Sequence, residues 1–191
     1  STLTAGAYVL DLEGEALGCV NTSQLSFTIF GGASVNLVSS DIDNTVCAGE
    51  TVQFTGSGAT LYEFFVNGNT QGSPSTNPNF NATGLVDGDA VSVKASTAQG
   101  CSALSNTIVT TVLPTPSVNL LTSATTTSIC QGDQVTFTAT GAIDYTFLVD
   151  GVNAFPSGNV ASYTTDTLST GQAISVIGST GQCSATSTTT F

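Results

Sequence analysis

The sequence predicts an all-β chain of tandem β-sandwich domains, each closed by its own disulfide. A domain-length phrase recurs, apolar residues alternate with period two between turn signals, and cysteines fall at matching places in each copy. "VCAGETVQFTGSG" from Val46 returns 83 positions later as "ICQGDQVTFTATG" from Ile129. "SVNLVSSDIDNTVCAGE" from Ser34 answers "SVNLLTSATTTSICQGD" from Ser117, and "YEFFVNG" from Tyr62 answers "YTFLVDG" from Tyr145. "LVDGDAVSVKASTAQGC" from Leu85 matches "LSTGQAISVIGSTGQC" from Leu168, with one residue deleted before the cysteine. A period of that length is a folding unit, longer than the repeats of solenoids.

The units follow in chain order. "LTAGAYVLDLEGEALGC" from Leu3 matches only the second half of a repeat, so residues 1–31 are expected to be the C-terminal half of a preceding unit. A full repeat follows over 34–113, then a stiff proline linker over 114–116, then a second repeat over 117–191 whose last strand is cut short. The expectation is a window cut from a longer array.

Inside each repeat the strands announce themselves. Val52 and Phe54 alternate with polar residues up to a glycine pair, as do Val135 and Phe137 in the next copy. Tyr62, Phe64 and Val66 form a second period-two face, matched by Tyr145, Phe147 and Val149. Asn67-Gly68 and Asp150-Gly151 then signal hairpin turns. Val91 and Val93, or Ile174 and Val176, mark a later strand before a Gly-containing turn and a Thr-rich last strand. Short strands at this spacing with no helical period read as a sandwich.

Composition narrows the function. Lys94 is the only cation against 13 carboxylates, and the formal charge is −12. Phosphate backbones and anionic membranes need clustered cations, so neither nucleic acid nor a membrane surface is an expected partner. No apolar run is long enough to span a bilayer. Histidine is absent, which removes His-based catalytic triads and His-ligated zinc. Hydrolysis by paired carboxylates requires two acids set in a cleft. Only Glu50 and Asp133 recur between copies, so no enzyme activity is expected.

Cysteine spacing points to Cys47 with Cys101 and Cys130 with Cys183, one bridge inside each repeat. Bridges of this kind belong to oxidising, extracytoplasmic settings. Cys19 matches Cys101 and Cys183 in position and is left without a partner in its own partial unit.

The assembled pattern runs Cys47, Gly49, Glu50, Val52, Phe54, then Tyr62, Phe64, Asn67, Gly68, and closes on Gly100-Cys101. It resembles the Ig-like or PKD-like repeats of giant cell-surface proteins of Bacteroidota. The second copy departs locally, with Gln182 before its last cysteine. The resemblance implies Ig-like sandwiches, an extracellular location, export by the type IX system, and a place in adhesins, gliding-motility proteins or filaments. "DTL" over Asp166–Leu168 resembles the O-glycosylation sequon of that phylum, with Thr167 as acceptor. Asn21 and Asn81 open N-glycosylation sequons that are expected to be empty in a bacterial protein.

Other side chains divide between chemistry and architecture. Asp41 and Asp43, with Asn44 following, offer oxygens for Ca²⁺ beside a junction, although the second copy has Ala124, Thr126 and Thr127 there. No other cofactor is expected. Asp87 and Asp89 flank Gly88 in what reads as a turn, and Glu63 reads as an exposed strand residue. Tyr62, Phe64, Tyr145 and Phe147 read as core, whereas Phe65 and Leu148 point away from it and suit a domain or subunit contact. Phe80, Phe155 and Tyr163 are the loop aromatics available for a glycan.

Three functions follow. The first is a structural segment of a long surface protein, acting as stalk, spacer or filament body, with neighbouring repeats as partners. The second is an adhesive array recognising glycans or other cells. The third is a filament subunit whose orphan front half is completed by strand exchange with another chain.

Overall fold

The structure is a computed structural model that describes residues 2–126, 128–155 and 157–190. Every regular element among them is a strand. The front of the chain is a hairpin, β1 (Gly6–Ala16) and β2 (Cys19–Ile29), paired antiparallel along their whole length. Its turn is two residues, Leu17 at φ 53° and Gly18 at φ 79°, the left-handed pair a tight hairpin demands.

The first repeat continues with β3 (Asn36–Ser39), β4 (Thr45–Cys47), β5 (Thr51–Ser57), β6 (Leu61–Val66), β7 (Asn69–Thr70) and β8 (Asn79–Thr83). It ends with β9 (Ala90–Ser96), β10 (Ser102–Leu104), β11 (Ile108–Val109) and β12 (Thr111–Leu113). One sheet has the order β3-β5-β8 and the other β10-β9-β6-β7, with β11 also on β9. The second repeat supplies β13 (Asn119–Thr122), β14 (Val135–Thr140), β15 (Asp144–Val149), β16 (Val152–Asn153), β17 (Ser162–Thr165), β18 (Ala173–Thr180) and β19 (Cys183–Thr190). Its sheets run β13-β14-β17 and β16-β15-β18-β19, the same plan. A three-stranded sheet with a second sheet of five strands in the first repeat and four in the second, in this order, is an Ig-like sandwich.

The period-two faces meet as the sequence predicts. Val52, Phe54, Tyr62, Phe64, Val91, Val93 and Ala95 are buried in the first repeat. Val135, Phe137, Ala139, Tyr145, Phe147, Leu168, Ile174 and Val176 form one buried cluster in the second. Each Asx-Gly turn is tied down by its own side chain. Asn67 Oδ1 accepts from Ala90 N at 2.9 Å, and Asp150 Oδ1 accepts from Ala173 N at 2.9 Å. Asn67 and Asp150 have φ 51°, followed by Gly68 at 76° and Gly151 at 78°.

Compactness divides the chain differently from the sequence repeat. One unit comprises Ser1–Asn44, Thr51–Thr83 and Gly88–Thr110; the other comprises Thr45–Glu50, Gly84–Asp87 and Thr111–Phe191. The segment carrying Cys47 therefore clusters with the second unit, where β4 pairs in parallel with β12. Thr115 Oγ1 donates to Ala48 O at 3.0 Å, and Val112 N to Asp87 Oδ1 at 3.0 Å, in the same unit.

Candidate functional site

The chain's covalent chemistry lies at its cysteines, and here the structure corrects the expected pairing. The bridge joins Cys47 to Cys183, with Cα atoms 5.6 Å apart and a sequence separation of 136. Cys101 and Cys130 are free, as is Cys19. The scheme of Cys47 with Cys101 and Cys130 with Cys183, one bridge inside each repeat, does not form. The reason is spatial: Cys47 belongs to the second compact unit, Cys101 to the first, and Cys183 is already taken. Matching spacing identified which cysteines are equivalent, a different question from which are adjacent.

The turn that presents Cys47 is built by a carboxylate the sequence had left without a role. Cys47 N donates to Glu50 Oε2 at 2.9 Å while Glu50 N donates to Cys47 O at 3.0 Å. The second repeat reproduces both bonds: Cys130 N to Asp133 Oδ2 at 2.9 Å, Asp133 N to Cys130 O at 3.0 Å. Gly49 at φ 89° and Gly132 at φ 90° make the reversal. The recurring acid thus closes a turn around a cysteine. Beside the bridge, Gln182 Nε2 donates to Thr45 O. The residue that departs from the repeat pattern therefore braces the strand that carries Cys47.

The remaining acids are spread out. Asp41 is half-buried and Asp43 exposed, in the bends between β3 and β4, and Asp41 N donates to Ser39 Oγ at 3.1 Å. Thr127, one of their counterparts, lies outside the described residues. Among the described residues no three His, Cys, Asp or Glu side chains converge on a point. Asp89 is buried and accepts from Asn67 Nδ2 at 2.7 Å, so it braces a hairpin turn. Glu63 is half-buried, opposite Lys94 across the β6–β9 ladder.

The aromatic candidates for a ligand platform are half-buried, each with its ring against a neighbouring ring. Phe80 lies on β8 between Phe54 and Phe64, with ring centroids 6.5 and 5.4 Å away. Tyr163 lies on β17 against Phe137 at 6.3 Å and Phe147 at 5.7 Å, and Phe155 rests on Tyr163 at 6.4 Å. Phe80 and Tyr163 are strand residues rather than loop aromatics, Phe155 lies in the bend after β16, and all three are half-buried. Period-two alternation within β8 and β17 was the signal for Phe80 and Tyr163, hidden because both strands are short and follow long loops. Tyr62 and Tyr145 are core as expected, each turning its hydroxyl onto a nearby carbonyl, Ala59 O at 2.7 Å and Ala142 O at 2.8 Å.

Phe65 and Leu148 are half-buried on the outer faces of their sheets. Phe65 lines an open depression of about 560 Å³ with Ser92, Lys94, Ala103 and Leu104. Thr167 is exposed, its hydroxyl 3.0 Å from that of Thr165.

The hairpin departs most from a buried element. One face carries Tyr8, Leu10 and Leu12 with Phe27, Leu25 and Ser23 across the ladder; the other carries Val9, Asp11, Glu13 and Glu15 with Ser26, Gln24, Thr22 and Val20. Leu10, Leu12 and Leu25 are 59, 68 and 61 % exposed. In the repeat match, Val9, Asp11 and Glu13 stand at the buried places of Val91, Val93 and Ala95. The apolar face is therefore the opposite one.

No family model and no curated protein matches the chain. Solved structures do. The fibronectin(III)-like modules of Clostridium thermocellum CbhA align at 18 % identity and TM-score 0.46, over 82 % of this chain and 92 % of that one. The N-terminal eight Ig domains of Down Syndrome Cell Adhesion Molecule align at 10 % identity and TM-score 0.48, over 98 % of this chain and 37 % of that one. The human OSCAR ligand-binding domain aligns at 14 % identity and TM-score 0.36, over 84 % and 100 %.

Proposed function

We propose that this chain is a structural segment of a long extracellular, cell-surface protein, serving as stalk, spacer or filament body. The observation that carries this reading is the bridge from Cys47 in the first sequence repeat to Cys183 in the second. Tension applied at the chain ends meets a covalent staple before it can unravel the enclosed segment, whose ends are 136 positions apart in sequence. The packed state of Phe80, Phe155 and Tyr163 supports the same reading, since an adhesive array needs exposed platforms. The disulfide supports residence outside the cytoplasm. Export by the type IX system of a Bacteroidota cell belongs to the same proposal and rests on the resemblance of the repeat motifs.

Single-molecule pulling tests the reading. The oxidised chain should extend short of the reduced chain by roughly 450 Å, the contour of the enclosed residues at about 3.4 Å each. Equal extension in both states would remove the load-bearing role. Glycan arrays and cell-adhesion assays should return no binding.

The hairpin favours a second reading, a self-assembling filament subunit. An amphipathic ribbon whose leucines stay exposed is a surface that a neighbouring chain would cover. Light scattering should then show association that Leu10→Ser with Leu25→Ser abolishes.

A further inference from the structure

The first repeat carries two surface features that the second lacks, and the two complement each other. One is a hollow. In the second repeat the last strand, β19, runs along β18 for eight residues without a break. In the first, β10 leaves β9 after Leu104, and β11 rejoins β9 only at Ile108. Asn106 draws the intervening chain toward the other sheet: its Oδ1 accepts from Leu37 N at 2.9 Å and its Nδ2 donates to Leu37 O at 3.1 Å. Thr188 stands at the equivalent place in the second repeat and has no amide to do this. The depression of about 560 Å³ lies beside that break, lined by Phe65, Ala103 and Leu104 with Lys94, the chain's only cation. The second repeat has Leu148, Ile177 and Thr186 in place of Phe65, Lys94 and Leu104, so it offers neither the ring nor the charge.

The other feature is a knob. Ile42 is 100 % exposed in the bends before β4, with Asp41 on one side of it and Asp43 on the other. An apolar side chain flanked by carboxylates is the chemical counterpart of an apolar hollow holding one ammonium. The second repeat has Ala124, Thr125 and Thr126 there, so knob and hollow occur together in one repeat and are lost together in the other. Leu17 is as exposed as Ile42, but it tips a hairpin between Ala16 and Gly18, with no acid beside it. Ile42 does not enter the hollow of its own molecule, since it is fully exposed. A knob on one patch that fits a hollow on another makes a head-to-tail contact between copies, which propagates as an open string unless its rotation closes a ring.

We propose that Ile42 of one copy seats in the hollow of a second copy, against Phe65 and Leu104, with Asp43 beside Lys94. This deepens the filament reading above, on which it rests, by naming a surface for each side of a joint. The contact is small, so it is weak between single molecules and acts where copies are crowded or arrayed. The leucine ribbon of β1 and β2 contributes neither Ile42 nor Lys94, so association through the ribbon and association through the knob fail separately.

The test is amide NMR of the isotopically labelled chain carrying Leu10→Ser with Leu25→Ser, which silences the ribbon. Spectra are compared between about 50 μM and about 1 mM, the range in which a weak contact titrates. Shifts that grow with concentration are expected at Ile42, Asp43, Phe65 and Leu104, and Ile42→Ser or Lys94→Glu should each abolish them. A labelled Ile42→Ser chain mixed with an unlabelled Lys94→Glu chain should regain the shifts at Phe65 and Leu104 but not around position 42. Reversing the labels should give the converse. If Lys94→Glu disturbs its strand beside Glu63, Leu104→Glu takes its place. Amide positions independent of concentration would overturn the proposal. So would shifts at the hollow that survive Ile42→Ser, which would mean that a different segment of the chain occupies it, or shifts confined to other surfaces.

Discussion

Gly58 and Gly141 occupy the same place in the two repeats, and each is irreplaceable for two reasons. Their φ values are 97° and 93°, where a side chain is strained, and an added Cβ would overlap the carbonyl oxygen of Ser34 or Ser117. Gly141→Ala should therefore lower unfolding free energy by about 3 kcal/mol, measured by urea denaturation. Asp133→Ala removes one exposed charge-assisted turn bond, and a loss of about 1 kcal/mol is expected in the same assay. The sequence displayed both glycines beside a strand end, but not the oxygen each one faces, since Ser34 and Ser117 lie 24 residues upstream.

At the scale of elements, alternation was enough to place the strands whose two faces differ. β5, β6, β14 and β15 put their predicted residues into the cores, because a period-two pattern has only one register that buries it. Phe147 is fully buried, and Phe147→Ala should cost about 3–5 kcal/mol in the urea assay. β8 and β17 were less legible. Phe80 and Tyr163 each sit on a short strand with a single large residue, too little alternation to separate core from loop. The hairpin posed the opposite difficulty. Like β18 and β19, it turns over two residues just before its cysteine, but its apolar face lies on the side opposite to the one the repeat match implies. Its leucines remain exposed.

For the whole molecule, the decisive feature is which sulfurs met. Closing a loop of 136 residues stabilises by about 5 kcal/mol in the chain-entropy model. Reductant should shift the urea midpoint down accordingly, and Cys47→Ser should reproduce the reduced state without reductant. Cys130→Ser should leave the midpoint of the monomer unchanged, which separates this arrangement from one bridge inside each repeat.

Repeat length, the strands around Val52, Tyr62 and Val91 with their counterparts, the Asx-Gly turns and the equivalence of the cysteines were contained in the sequence, because each depends on local chemistry or on comparing one copy with another. The disulfide partner and the packing of Phe80, Phe155 and Tyr163 were decided only by the tertiary structure. Both depend on segments far apart in the chain coming together, and β4 joining the unit of the second repeat is the event that placed Cys47 beside Cys183.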